Sequence, residues 1–255
     1  MSRIFITGSM DGLGAGAAQA LIGEGHDVLL HSRSKERASA AGAFSSKALG
    51  VVLGDLSRAR DLRSIADQVN AHGPMDAIIH NAGVYQEPRR GDTPEGHSTI
   101  LAVNTIAPYV LTAFIDRPTR LIYLSSGMHK SGGSSLDDID WTSRSWSAGQ
   151  AYSESKLHVA TIAAVVARHW PDVVSSAVDP GWVPTRMGGK GAPDDLEKGH
   201  LTQTWLAVSD DAEAKVSGRY WYHRRPQQAA SAVGDPDFQE RLIAKLSELT
   251  GVILF

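Results

Sequence analysis

Short apolar runs and longer mixed stretches alternate along the whole chain. Arg3-Ile-Phe-Ile-Thr7 is apolar at consecutive positions and stops at a glycine, which suits a strand buried on both faces. Asp27-Val-Leu-Leu-His31, Val51-Val-Leu53, Ala77-Ile-Ile79, Leu121-Ile-Tyr-Leu124 and Val173–Val178 repeat the pattern. Between them the apolar spacing turns helical: Ala17, Ala18, Leu21 and Ile22 lie within Leu13–Gly25, and Leu56–Ala71, Thr99–Ile115 and Tyr152–Arg168 follow. Strands alternating with helices require crossover connections, so the expected fold is α/β. It is a doubly wound, mostly parallel sheet with helices on both faces, in one domain over residues 1–255. Tyr220-Trp-Tyr222 reads as the last buried strand.

Two long polar segments interrupt this rhythm, Gly127–Gln150 and Pro184–Gly199. Both leave strands on the C-terminal side of the sheet, where open α/β folds bind ligands. The first reads as one wall of a substrate pocket and the second, with Gly188-Gly-Lys-Gly191, as a lid.

Composition narrows the class. A hydrophobic share of 42% and a charged share of 21% are those of a chain with a full core. A net charge of −3, with no basic stripe, argues against nucleic acid and against an anionic membrane surface. Cysteine is absent, which excludes disulfides and thiolate chemistry. There is no apolar run of membrane-spanning length and no signal-peptide pattern before the first strand, so a cytoplasmic location is expected. The ten histidines form no ligand-spaced cluster, and no metal is expected.

Thr7-Gly-Ser-Met-Asp-Gly-Leu-Gly14 joins the first strand to the first helix. Gly8 allows a tight turn, Gly12 lets backbone amides approach a pyrophosphate, and Gly14 lets the helix start pack closely. The helix N-terminus then presents unpaired N–H groups to phosphate, although the glycine spacing differs from the usual dinucleotide fingerprint of a Rossmann-type fold and a plain turn is the other reading. The second strand ends His31-Ser32-Arg33, where an acidic residue would hold a ribose 2′-hydroxyl. A guanidinium there suits a 2′-phosphate instead, so NADP(H) is favoured over NAD(H). Asp55 follows the third strand and either meets an adenine amino group or caps a helix starting at Leu56.

Tyr152 and Lys156 stand four residues apart on one helical face. An ammonium beside a phenol favours the phenolate and lowers its pKa, which a general acid/base needs.

Together these segments resemble the short-chain dehydrogenase/reductases over nearly the whole chain. The matching pieces are Thr7–Gly14, Asp55-Leu56, Asn81-Ala-Gly83, Val103-Asn104, Ser125-Ser126, Tyr152–Lys156 and Pro180-Gly-Trp-Val-Pro-Thr185. The glycine spacing resembles the single-domain members rather than the epimerase-like branch. The resemblance implies that Tyr152 is the acid/base, Lys156 its partner and a nicotinamide-ribose contact, Ser126 the hydrogen-bond donor to the substrate oxygen, and Asn104 the holder of a relay water. It implies a cofactor cleft lined by Thr7, Gly8, Ser9, Asp11, Gly12, Leu13, Gly14, Ser32, Arg33, Asp55, Leu56, Asn81, Ala82 and Gly83. Asn104, Tyr152, Lys156, Pro180, Gly181, Val183 and Thr185 complete that cleft. It also implies a homodimer or homotetramer, although the helix that often forms the dimer interface is cut short at Ile115-Asp-Arg-Pro118.

Ser126 and Tyr152 are separated by 26 positions, about twice the commonest spacing in that family. The insertion and Ser125-Ser-Gly-Met-His129 resemble the retinol dehydrogenase branch. The expected activity is NADP-dependent interconversion of a carbonyl and an alcohol on a small-molecule substrate. The alternative is a catalytically silent dinucleotide sensor on the same fold. Trp141, Trp146 and Trp182 flank the expected site and either touch an apolar substrate or pack loops; Arg224-Arg225 reads as a solvated pair.

Overall fold

Five of the first six apolar runs are buried at consecutive residues (Val51–Leu53, at the sheet edge, buries Val52 alone), so each of those strands presents one set of side chains to each side of the sheet. In β1 (Arg3–Ile6), Ile4 and Ile6 join one core cluster and Phe5 the other. The computed structural model describes residues 1–40, 42–85 and 88–255. With β2 (Asp27–Ser32), β3 (Gly50–Leu53), β4 (Ala77–His80), β5 (Arg120–Leu124), β6 (Val174–Asp179), β7 (Arg219–Tyr222) and β8 (Arg225–Gln227), β1 forms one sheet in the order β3-β2-β1-β4-β5-β6-β7-β8. Pairing is parallel from β3 to β7, and β8 runs antiparallel to β7.

The expected α/β sheet is therefore present, with one strand more than foreseen. Tyr220–Tyr222 is not the last strand: His223 and Arg224 both adopt positive φ, turning the chain back in two residues to pair Arg225 with Tyr222.

On one face lie α1 (Gly12–Gly23) and α7 (Lys198–Val208), covering Ile4, Ile6, Leu30 and Ile79. The other face carries α3 (Ala59–Ala71), a continuous helix made of α4 (Thr99–Leu101), a π-helical turn (Ala102–Ile106) and α5 (Ala107–Phe114), and the long α6 (Ala148–His169). A short α2 (Lys35–Ala40) follows β2. The C-terminal α8 (Pro236–Thr250) packs outside α6 through Phe238, Leu242 and Leu246. Beyond it, Tyr109 Oη donates to the Val252 carbonyl at 2.7 Å, tying α5 to the chain end.

Two helix starts differ from expectation. α3 begins at Ala59 rather than Leu56, because Asp55 Oδ1 accepts from Ser57 N and Oγ and Arg58 N bonds back to the Asp55 carbonyl, forming a separate turn. α6 begins at Ala148 rather than Tyr152, because Ser147 caps it by accepting from Gln150 N. The polar segment before it is correspondingly shorter.

The chain runs outward from β1 through β3 and returns to β4 on the other side of β1. That reversal opens a crevice at the C-terminal ends of β1 and β4, where an open α/β sheet holds its ligand.

Candidate active site

The glycine-rich turn sits on the β1 side of this crevice. Gly8 and Gly12 adopt φ of 63° and 53°, values that glycine reaches without strain. Gly14 is required for a different reason: a Cβ there would lie 2.3 Å from the Gly8 carbonyl and 2.5 Å from Asn81 Nδ2. Thr7 and Asn81 lock the two strand ends together. Thr7 Oγ1 accepts from the N–H groups of Asn81 and Ala82, and Asn81 Nδ2 donates to the carbonyls of Thr7 and Gly8. Ala82 lies against Gly8, whose Cβ position is 3.0 Å from Ala82 Cβ. Ser9 is fully buried and its hydroxyl accepts from His31 N at 2.8 Å, so that side chain holds β2 rather than facing the crevice.

His31, which the sequence offered only as a strand end, is a cross-brace for this turn. Gly8 N–H donates to its Nδ1 and its Nε2 donates to the Gly54 carbonyl, each at 3.0 Å. Burial lowers its pKa from 6.5 to about 4, so the ring remains neutral and able to accept from Gly8.

At the β2 end of the crevice, Ser32 is buried and donates to the Ser34 carbonyl. Arg33 is exposed, and Arg37 from α2 reaches Asp11 of the glycine-rich turn at 2.7 Å. Leu56 packs into the core beside α3 rather than lining the crevice through its side chain.

The opposite wall is built by the segment after β6. Gly181 takes φ of 84°, Val183 is buried, and Thr185 lies over the turn, its Cγ2 being 3.4 Å from the Cβ position of Gly12. Leu13 and Val183 meet at Gly199, where a Cβ would approach them to 2.6 and 2.8 Å, and Pro180 contributes its carbonyl at 3.5 Å. The glycine-rich turn, the Asn81–Gly83 segment and the segment after β6 thus come together around the crevice.

Deeper in the crevice, Asn104 occupies the π-helical turn, a distortion common at functional positions. Its Oδ1 accepts from Val84 N, while Nδ2 donates to the Val84 carbonyl and to Ser155 Oγ. Gly83 makes room for the neighbours: its Cβ position is 3.4 Å from Lys156 Nζ, 3.5 Å from Asn104 Oδ1 and 3.9 Å from Met187 Cε. Lys156 Nζ donates to the Leu124 carbonyl at 2.7 Å and lies 5.5 Å from the Tyr152 ring centroid.

The two serines part company. Ser125 is buried and donates to the Lys156 carbonyl at 2.8 Å, whereas Ser126 is half-buried, accepts from Met128 N, and acts to lower the pKa of the neighbouring Tyr152.

The electrostatics correct the expectation of a depressed phenol. Burial raises the Tyr152 pKa to about 12; Ser126 opposes this, while Asp179 and Tyr85 reinforce it. Lys156 is itself pushed down to about 8 by burial, partly offset by Asp179. The shared helical face was foreseen correctly, but desolvation decides the direction of the phenol's shift.

Other residues missed by the sequence reading surround this pair. The Tyr85 ring packs on Tyr152 with centroids 4.5 Å apart. Asp179 Oδ1 accepts from Gly181 N at 3.0 Å, and burial followed by repulsion from Asp194 raises its pKa. Nothing in the pattern of either position announced this: Tyr85 lies just beyond the Asn81–Gly83 motif, and Asp179 ends a strand.

The polar segments are organised. Trp182 N donates to Asp194 Oδ2, Asp194 N to the Trp182 carbonyl, and Trp182 Nε1 to the Gly188 carbonyl, lacing Gly181–Asp194 into a loop. Trp182 remains 61% exposed. Trp141 is buried with Ile100 and Ala151, packed by Trp146, and donates to Glu154 on α6, so these two tryptophans hold the insertion in place.

With this geometry in view, the relatives can be placed. The short chain dehydrogenase family profile matches residues 2–126. Short-chain dehydrogenase chry4 of Gibberella zeae is 38% identical over 259 residues, spanning 100% of this chain and 99% of its own. The chain belongs to the short-chain dehydrogenase/reductase family. This short-chain dehydrogenase/reductase is an NAD(P)-dependent oxidoreductase. Retinol dehydrogenase 13 of Homo sapiens is 25% identical, spanning 98% of this chain and 84% of its own. A solved Mycobacterium paratuberculosis protein superposes with a TM-score of 0.85 at 24% identity, over 100% of this chain and 95% of that one. A metagenomic blue fluorescent protein in complex with NADPH (TM-score 0.70, 20% identity, 87% of this chain and 95% of that one) has the same fold. So does a Brucella melitensis 3-ketoacyl-(acyl-carrier-protein) reductase complexed with NADH (TM-score 0.68, 18% identity, 87% and 96%). Both forms of the cofactor thus occur on this fold. Among the described residues, no helix of the short-chain dehydrogenase/reductase is long and apolar enough to cross a membrane, and no group of three ligating side chains could hold a metal.

Proposed function

We propose that the protein is an NADP(H)-preferring reductase of an apolar ketone or aldehyde, acting as one domain that carries both cofactor cleft and substrate loops. The observation that carries this reading is Ser126 acting on Tyr152 at the mouth of a cleft whose floor gathers Lys156 and Asn104 around Gly83. The residues fit a dinucleotide. Gly8, Gly12 and Gly14 leave a cradle that side chains would fill, and α1 begins immediately behind it.

When bound, the nicotinamide supplies the hydride. The chain's own groups do the rest. Ser126 and Tyr152 aim hydroxyls at the position where the carbonyl oxygen gains charge, stabilising it as the alkoxide forms. Tyr152 then gives up its proton. With its pKa held near 12 the phenol is fully protonated at neutral pH, the form required in the reductive direction. Lys156 and Asn104 line the route by which that proton is replaced. Met128, Trp182 and Met187 are exposed apolar side chains beside the pocket, which supports an apolar substrate. A panel of ketones, aldehydes and alcohols followed through NADPH absorbance tests the reading; failure to turn over any apolar carbonyl compound would defeat it.

The cofactor preference rests on Arg33. It stands exposed just after β2, where the chain carries no acidic residue from His31 to Lys35. A charge-assisted bond to phosphate is worth about 1.5–3 kcal/mol. Arg33→Ala is therefore expected to raise the KM for NADPH by roughly ten-fold or more while leaving that for NADH nearly unchanged. Equal rises for both cofactors would show Arg33 to be a surface residue only.

A further inference from the structure

His129 belongs to the insertion that separates Ser126 from Tyr152, in the 3₁₀ turn Gly127–Ser131. Its side chain is fully buried, yet neither ring nitrogen is idle. Nδ1 lies 2.8 Å from the carbonyl oxygen of Ser126, and Nε2 lies 3.0 Å from the backbone nitrogen of Ala230. A carbonyl can only accept and a backbone N–H can only donate. The ring is therefore the neutral Nδ1–H tautomer, donating to Ser126 and accepting from Ala230. Burial lowers its pKa, with Lys130 acting in the same direction and the Ser126 carbonyl and Asp179 opposing, so this tautomer persists at neutral pH. The ring also stacks on Tyr220 of β7, with centroids 4.4 Å apart and planes 28° apart.

We propose that His129 is the positioning residue of Ser126, fixing the serine's backbone by bracing its carbonyl against the C-terminal segment at Ala230. The inference rests on the reading of Ser126 given above. Ser126 needs such a brace. It leaves β5 in an extended conformation, and its hydroxyl has only a 3.3 Å bond from Met128 N besides its contact with Tyr152. The next residue is an exposed glycine, which imposes little on the backbone. The Ser126 carbonyl also accepts the backbone N–H of His129 at 3.0 Å, and the ring adds a second, longer-range hold on the Ser126–Gly127 peptide, anchoring the backbone that carries Oγ. Ala230, 101 residues onward, sits just before the 3₁₀ turn Ser231–Gly234 that packs on α6. The imidazole is thus a strut between Ser126 and a segment that packs on α6. Misplacing a reacting group by about 1 Å can cost about 10²-fold in rate.

Two substitutions separate the strut from mere core filling. In His129→Asn the side-chain amide nitrogen falls where Nδ1 was, keeping the bond to Ser126 and losing that to Ala230. In His129→Gln the amide oxygen reaches the place of Nε2, keeping Ala230 and losing Ser126. The expected result is a kcat for His129→Gln reduced by roughly 10- to 100-fold, with KM and NADP(H) affinity little changed, and a His129→Asn kcat restored to within roughly three-fold of wild type. Equal kcat losses in both variants, or no loss in either, would overturn the proposal. If a variant fails to fold, nitrogen NMR of the wild-type ring decides: an Nε2–H tautomer, or an imidazole that titrates between pH 6 and 8, also overturns it. Ser126→Ala run in parallel keeps the two readings apart, since full turnover there removes the role of Ser126 itself.

Discussion

Tyr152→Phe is expected to fold, to bind NADP(H) and to lose turnover by ~10²–10⁴-fold, the usual contribution of a general acid. The substitution removes one oxygen and nothing else. The ring is buried, packs on Tyr85 with centroids 4.5 Å apart, and lies 5.5 Å from Lys156 Nζ, contacts that phenylalanine keeps. What disappears is the hydroxyl on which Ser126 acts, the group that would deliver the proton. Because burial holds that phenol near 12, the wild-type reductive rate should stay flat through neutral pH; the oxidative direction needs the phenolate and should rise with pH. Comparison of kcat for both proteins on one ketone, with NADPH binding followed separately, checks the claim. Near-wild-type turnover by the phenylalanine variant would end the assignment of Tyr152.

The sequence carried the fold because its signals were local and redundant. Consecutive apolar residues in Arg3–Ile6 and Ala77–His80 required burial on both faces, and that requirement implies parallel pairing and crossover helices. Gly8 and Gly14 were legible for the same reason: each occupies a place where a Cβ would strike Ala82 or the Gly8 carbonyl. The misplaced helix starts trace to competing local bonds. Asp55 satisfied Ser57 instead of opening α3, and Ser147 capped α6 five residues before the tyrosine that had drawn attention. The α8 helix announced itself through Asp235-Pro236 at its start and Gly251, at φ 68°, after its end, yet those cues lie away from any motif.

The site was legible as a set of positions but not as an electrostatic environment. Spacing alone puts Tyr152 and Lys156 on one face of α6, and it did so correctly. It says nothing of how deeply both are buried, and burial decides the sign of the tyrosine's shift. Partners supplied by distant chain were equally invisible. His31 reaches Gly8, and His129 reaches Ala230, through contacts that no periodicity encodes. Arg37 meeting Asp11 across the cofactor turn is of the same kind.

Lys156→Met should make the cofactor-free protein more stable near neutral pH while sharply weakening cofactor binding and turnover. The lysine is buried, with its ammonium donating to the Leu124 carbonyl at 2.7 Å, and burial lowers its pKa from 10.5 to about 8. At about 1.4 kcal/mol per pKa unit, keeping the ammonium charged in that place costs on the order of 3 kcal/mol. The folded-state pKa is depressed, so between about 8 and 10.5 the unfolded chain binds more protons than the native one, and stability rises with pH. Lysine's stability contribution is therefore greatest above its unfolded value and is lost as pH falls through about 8. Methionine has similar reach and no charge, and it forfeits one hydrogen bond to Leu124, worth about 1 kcal/mol. The net expectation is a gain of about 2 kcal/mol at pH 7 that shrinks toward pH 10, where wild-type Lys156 is largely neutral when folded. Urea unfolding of both proteins at pH 7 and pH 10, without cofactor, measures it. Parallel stabilities across that interval would show that the lysine titrates as an ordinary exposed amine. A variant that instead gains stability while losing turnover places Lys156 among groups held at a thermodynamic loss because the chemistry uses them.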